Sequence, residues 1–206
     1  MNVRIFYLLF ISLGIMSIGS TCKKKCNEPN YVFVTNESFL PQSDSIHLGD
    51  TIWLQSTVSK PILDSITKKL ISYNGASDWG TTLIISDILK DRDSERGAIG
   101  DFNYFAVYGN VYSAPNTDTS NVKQLFYRET PATYDLKVGI ISQKVGGYIF
   151  TIPDNQYLFR NDEPHCGTAQ LIILNQNTEQ HLYLFEDMWG ALSSYDEAHS
   201  YCIKVY

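Results

Sequence analysis

The clearest rhythm in the chain runs from Thr133 to Ile141. Tyr134, Leu136, Val138 and Ile140 point one way and Asp135 and Lys137 the other, the pattern of a strand with one buried face. Ile52 and Leu54 alternate with Thr51, Trp53 and Gln55 in the same way, which puts Trp53 on the face away from the core. Ile46 and Leu48 alternate with polar neighbours ahead of a turn at Gly49-Asp50. Further strands are predicted at Tyr31–Val34, Lys69–Tyr73, Thr81–Ser86, Val122–Arg128, Tyr148–Ile152, Ala169–Leu174, His181–Phe185 and Tyr201–Tyr206. Tyr104–Tyr112 reads as one long aromatic strand, bent at Gly109-Asn110.

Helical signals are few. Trp189, Leu192 and Tyr195 fit one short helix. Over Pro61–Leu70, the residues Ile62, Leu63, Ile66 and Leu70 fit a helical face, and Ser65-Ile66-Thr67 fits an irregular strand equally well. Gly146-Gly147 reads as a turn joining Thr133–Ile141 to Tyr148–Ile152 in a hairpin. Asp87–Gly100 reads as a charged loop, and Ala114–Asn121 lacks any period and is the best internal boundary. Many short strands with polar turns predict an all-β fold, an antiparallel β-sandwich of immunoglobulin-like or related type with few short helices. The body spans 31–206, with sub-halves at 31–113 and 122–206.

The N-terminal segment is different in kind. Arg4 precedes an apolar run, Ile5–Ile18, followed by the small residues Gly19 and Ser20, then Thr21 and Cys22. These are the three parts of an export signal. The run is shorter than the ~20 residues that span a bilayer core. We expect residues 1–21 to act as a signal peptide. Residues 22–30 then form a tether lipidated at Cys22, with Lys23-Lys24-Lys25 against anionic lipid. Export without lipidation is the plainer alternative. Beyond residue 30 the chain carries 12 Lys and Arg against 21 Asp and Glu, a formal charge of −9. An acidic body repels phosphate backbones, which argues against nucleic-acid binding.

With Cys22 lipidated, Cys166 and Cys202 are the expected disulfide in an oxidising compartment. Closing a loop of about 37 residues would add ~3–4 kcal/mol. The adjacent His165-Cys166 couple is a poor catalytic dyad, because neighbours in an extended segment point to opposite faces. Asp87, Asp91, Asp93 and Glu95 gather carboxylates in one loop, but Gly97 is misplaced for a calcium loop and Arg92 and Arg96 neutralise the charge. No HExxH, GxSxG or phosphate-cradling glycine loop occurs, so no catalytic residue, metal ligand or cofactor is expected. Of the three tryptophans, Trp79 in Asn74-Gly-Ala-Ser-Asp-Trp79-Gly has the most exposed-looking setting and is the candidate for stacking on a ligand.

The stretch Asp44-Ser-Ile-His-Leu-Gly-Asp-Thr-Ile-Trp-Leu54, with Gly147-Tyr-Ile-Phe150, Cys166 and Tyr201-Cys-Ile-Lys-Val205, resembles a group of uncharacterised lipoproteins of Bacteroidetes-type bacteria. The resemblance implies an exported β-rich lipoprotein and carries over no catalytic residue. Acidic residues follow the lipidated cysteine in surface-exported lipoproteins of such bacteria. They are absent here, which implies an outer-membrane location facing the periplasm. Such bacteria also glycosylate Asp-(Ser/Thr)-apolar triplets, which makes Ser45 and Ser65 possible O-glycosylation sites, with Thr51 a poorer one in a sheet. The resulting expectation is a non-enzymatic, membrane-anchored module that binds an envelope protein or glycan. The alternatives are an envelope hydrolase with a site assembled from distant residues, and a purely structural envelope protein.

Overall fold

The computed structural model describes residues 28–76, 79–88, 96–113, 122–153, 156–160 and 167–206. In chain order the strands are β1 (Tyr31–Leu40), β2 (Ser45–Ile46), β3 (Thr51–Ser59), β4 (Ile62–Leu63), β5 (Leu70–Ile71), β6 (Gly80–Asp87), β7 (Arg96–Gly97) and β8 (Phe102–Tyr108). They continue as β9 (Asn110–Ser113), β10 (Val122–Phe126), β11 (Arg128–Glu129), β12 (Thr133–Ser142), β13 (Gly146–Thr151), β14 (Gln156–Phe159), β15 (Thr168–Asn175) and β16 (Ser200–Val205). Two short helices, α1 (Tyr183–Trp189) and α2 (Ser194–His199), lie between the last two strands.

The protein is a β-sandwich. One sheet runs β11-β12-β3-β1-β15-β14, with β8 also paired to β12. The other runs β2-β16-β13-β6-β10-β9, with β7 also paired to β6. The two-residue strands β4 and β5 form a small hairpin of their own. Most ladders are antiparallel, but β1–β15 and β16–β2 are parallel, so both sheets are mixed.

Two-residue alternation explains the layers. Ile52, Leu54, Leu136, Val138 and Ile140 of the first sheet share one core with Leu83, Ile85, Tyr148, Phe150 and Ile203 of the second. Burying each such side chain contributes about 2 kcal/mol. Aromatic rings knit the layers: Phe39 of β1 stacks on Tyr201 of β16 at 5.1 Å and meets Phe150 of β13 edge-on at 5.6 Å.

The chain changes sheets within two of its aromatic runs. The predicted strand Tyr104–Tyr112 divides at Gly109 into β8 of one sheet and β9 of the other. Gly109 has φ +86°, and a Cβ there would sit 2.2 Å from the Phe126 carbonyl oxygen, so only glycine fits. Val122–Arg128 divides likewise, β10 and β11 flanking Tyr127. Both sheets take strands from either side of residues 114–121, so 31–113 and 122–206 are not separate layers. The boundary segment itself lies outside the described residues.

Several local expectations are corrected. β12 and β13 do not form a hairpin; the turn between them crosses from one sheet to the other, because both strands bury an apolar face against the opposing layer. His181–Phe185 is not a strand. Leu182, Phe185 and Trp189 recur at helical spacing and cover Ile88, Ile149 and Cys202 on the outer face of the second sheet. Gly190, at φ +91°, ends α1, so Trp189, Leu192 and Tyr195 do not share one helix. In Pro61–Leu70, Ile62–Leu63 and Leu70 enter the β4–β5 hairpin and the segment forms no helix. No helix among the described residues is long and apolar enough to cross a membrane.

Gly109→Ala should cost at least about 2 kcal/mol, from left-handed strain plus the backbone clash. A urea melt would show it as a lowered midpoint, and an unchanged midpoint would contradict this account of the sheet switch.

Candidate functional site

The outer face of the first sheet is built by the polar half of the alternating pattern. Strand register sets a row across four strands: Tyr108 of β8 beside Lys137 of β12, Lys137 beside Gln55 of β3, and Gln55 beside Ser38 of β1. A second row places Phe105 beside Gly139 and Gly139 beside Trp53. Gly139 carries no side chain because Phe105 occupies that space; a Cβ there would lie 2.3 Å from its ring. Phe105 meets Trp53 edge-on at 5.4 Å, and the Lys137 ammonium sits 4.9 Å from the Trp53 ring centre. The Arg128 guanidinium lies 4.2 Å from the ring centre of Tyr108.

Beside this platform lies an open groove of about 700 Å³. Asn36, Gln55, Thr57, Lys137 and Gln176 contribute its polar lining, and Tyr108 an aromatic ring that is 41% exposed. The β4–β5 hairpin supplies an apolar wall through Leu63 and Leu70, 53% and 65% exposed. Asp64 holds that hairpin to β1. It is fully buried and accepts hydrogen bonds from the Val32 amide at 2.8 Å and the Thr67 amide at 2.8 Å. Burial alone would raise its pKa, but these bonds and one from the Thr67 hydroxyl outweigh that and hold it down at about 2.

The residues singled out from sequence fall elsewhere. Trp79 is in the core, 2% exposed, stacked on Tyr134 at 4.1 Å and packed against Phe33. It is not available to stack on a ligand. The polar Asn-Gly-Ala-Ser-Asp context suggests an exposed setting, and only the cross-sheet partners reveal the burial. Trp53, by contrast, does lie on the outer face. Cys202 carries a free, buried thiol facing the cover of α1, and no disulfide occurs among the described residues; Cys166, its expected partner, lies outside them. Burial, with Glu186 nearby, pushes the Cys202 thiol up to about 12. Cys22, His165, Asp91, Asp93 and Glu95 also lie outside the described residues.

Ser45 is half-buried in β2 and donates to Asp44 Oδ1 at 2.8 Å, while Tyr183 donates to Asp44 Oδ2 at 2.6 Å. Ser65 is half-buried beside exposed Ile66, and its amide donates to the Val32 carbonyl at 2.7 Å. Among the described residues no three His, Cys, Asp or Glu side chains stand close enough to hold a metal ion.

One ionisable group sits inside the sandwich. Glu37 on the inner face of β1 is 1% exposed and accepts a hydrogen bond from the Tyr127 hydroxyl at 2.6 Å. Its other oxygen has no hydrogen-bond partner among the described residues. Burial pushes the Glu37 carboxyl up to about 7, only partly opposed by the Tyr127 bond.

No family model matches the chain, and no curated protein matches it. Among solved structures it is similar to two fragments of the human F-spondin reeler domain. One has 10% identity and TM-score 0.34, covering 77% of this chain and 95% of that one. The other has 12% identity and TM-score 0.33, covering 70% and 95%. A third similar structure, the seventh ScaB type I cohesin from Pseudobacteroides cellulosolvens, has 7% identity and TM-score 0.29, covering 86% and 92%. Similarities this distant assign no ligand.

The Glu37 titration has a definite sign. Its carboxyl has an ordinary value of 4.5 and titrates near 7 when folded, so between those values the folded state holds a proton that the unfolded state has lost. Its contribution is fully present below pH 4.5 and is lost as pH rises through 7. Glu37→Gln should therefore gain stability relative to wild type between pH 5 and pH 8, by as much as ~3 kcal/mol. Urea midpoints at the two pH values would measure this, and parallel curves for the two proteins would contradict it.

Proposed function

We propose that this chain is an exported, lipid-anchored envelope protein that binds a glycan on the outer face of its first sheet, without catalysis. The observation that carries the reading is the cross-strand row Tyr108–Lys137–Gln55–Ser38 bordering a groove lined by side-chain amides and hydroxyls. Sugars combine apolar C–H faces with a dense ring of hydroxyls. An aromatic ring with both faces of chemistry nearby, and amides that donate and accept together, match that combination. The anchor reading is supported by the apolar run Ile5–Ile18 and the small residues before Cys22. Lipid attached there would hold the sandwich at a membrane of the bacterial envelope, and the resemblance noted above favours the outer membrane and its periplasmic side.

Two measurements test the two parts. On a glycan array of neutral and acidic oligosaccharides, wild-type protein should bind a defined set, and Tyr108→Ala and Gln55→Ala should each weaken that binding roughly 10-fold. Tyr112→Ala, exposed on edge strand β9 of the opposite sheet, should leave it unchanged. A blank array would reject the glycan reading. For the anchor, intact mass of the membrane-extracted protein should show fatty acid on Cys22, and Cys22→Ala should release the protein from the membrane fraction. An unmodified Cys22 would reject it.

A further inference from the structure

The groove holds one charged side chain, and its charge is not spent within the described part of the molecule. Of the residues that line it, only Lys137 is ionised. Lys137 makes no ion pair among the described residues, although the body beyond residue 30 carries a formal charge of −9. The nearest acidic neighbour on its own strand face, Asp135, is engaged elsewhere. It pairs with Arg128 at 3.6 Å and accepts from the Thr133 hydroxyl at 2.9 Å and the Thr57 hydroxyl at 3.3 Å. The Trp53 ring beside Lys137 attracts the ammonium through its face but cannot neutralise it. An unpaired cation at the junction of an aromatic platform and an amide-lined groove is the natural partner of an anion carried on the ligand.

Resting on the glycan reading above, we propose that the groove selects carboxylated oligosaccharides, of the uronic-acid type, and that the Lys137 ammonium binds the sugar carboxylate. Tyr108 and Gln55 stand on either side of Lys137 in the same row. A sugar ring lying against the part of Tyr108 that Arg128 leaves uncovered would therefore present its exocyclic carboxylate to Lys137 and its hydroxyls to Gln55 and Thr57. The overall acidity of the molecule does not oppose this. At physiological salt, charges beyond about 8 Å are largely screened, so the local cation decides. The same geometry gives Lys137 no means of distinguishing among neutral sugars, so the preference must follow the carboxylate.

The test uses matched pairs. The full-length protein in detergent is titrated calorimetrically with a panel of oligouronates and with the methyl esters of the same oligosaccharides, which keep the ring and linkage and lose the charge. The acids should bind at least about 10-fold more tightly than their esters, the size of one charge-assisted hydrogen bond. Lys137→Gln should reduce that preference to near unity, and Lys137→Arg should retain it. Circular dichroism of both variants confirms the fold. Acids and esters binding equally would overturn the assignment to Lys137 and leave the glycan reading intact. An acid preference that survives in Lys137→Gln would overturn it as well. Binding of neither form would overturn this inference, while the glycan array decides the glycan reading.

Discussion

The first sheet depends on β1 finding a partner along both edges. Its residues Tyr31–Glu37 pair in parallel with Ala169–Asn175, and Ser38–Leu40 pair antiparallel with Trp53–Gln55. Backbone amides at the middle of a sandwich cannot reach water, and each one left unpaired would cost as much as a lost hydrogen bond. That requirement fixes register, and register fixes faces. Phe33, Thr35, Glu37 and Phe39 turn inward, while Val34, Asn36 and Ser38 turn outward to the groove. A slip of one residue would exchange the two sets. Core and groove are thus two readings of one hydrogen-bond ladder.

Glu37 is the inward residue that does not suit its surroundings. A carboxyl among Phe, Leu and Ile side chains is disfavoured, and the Tyr127 hydroxyl compensates only one of its oxygens. The location gives the pair a structural meaning. Tyr127 stands where the chain passes from β10 in one layer to β11 in the other. The hydrogen bond therefore ties the central strand of the first sheet to a crossing point between the sheets. An apolar pair of the same shape would pack there, but it would accept more than one alignment of the crossing.

Much of the layer structure was legible from alternation. The runs around Ile52–Leu54 and Tyr134–Ile140 gave strand, buried face and exposed face correctly, because each repeats every two residues for long enough to exclude a helix. Trp53 was placed outside on that basis alone. What failed were judgements needing partners distant in sequence. Trp79 has turn-like neighbours, but its ring lies against Tyr134 and Phe33. Leu182, Leu184 and Phe185 look like a strand until the apolar outer face of the second sheet is seen to need a cover. Gly146 and Gly147 signal a turn, but they open β13 and pair with β16, the turn itself being residues 143–145; only packing decides whether the next strand pairs with the last or faces it. The groove was invisible for the same reason. Its residues come from six strands, and none is distinctive without the register that lines them up.

The two parallel ladders have a consequence for how the chain acquires this shape. β1 waits for β15 and β2 waits for β16, so the earliest strands are completed by the latest ones. Each pairing closes a loop of well over a hundred residues, and such closures form slowly, after most local contacts. A polypeptide emerging in N-to-C order would therefore stay open along β1 until its final forty residues arrived. An unfinished sheet edge is a hazard in a crowded compartment. It would also suit the export proposed above, in which the chain crosses a membrane before it folds.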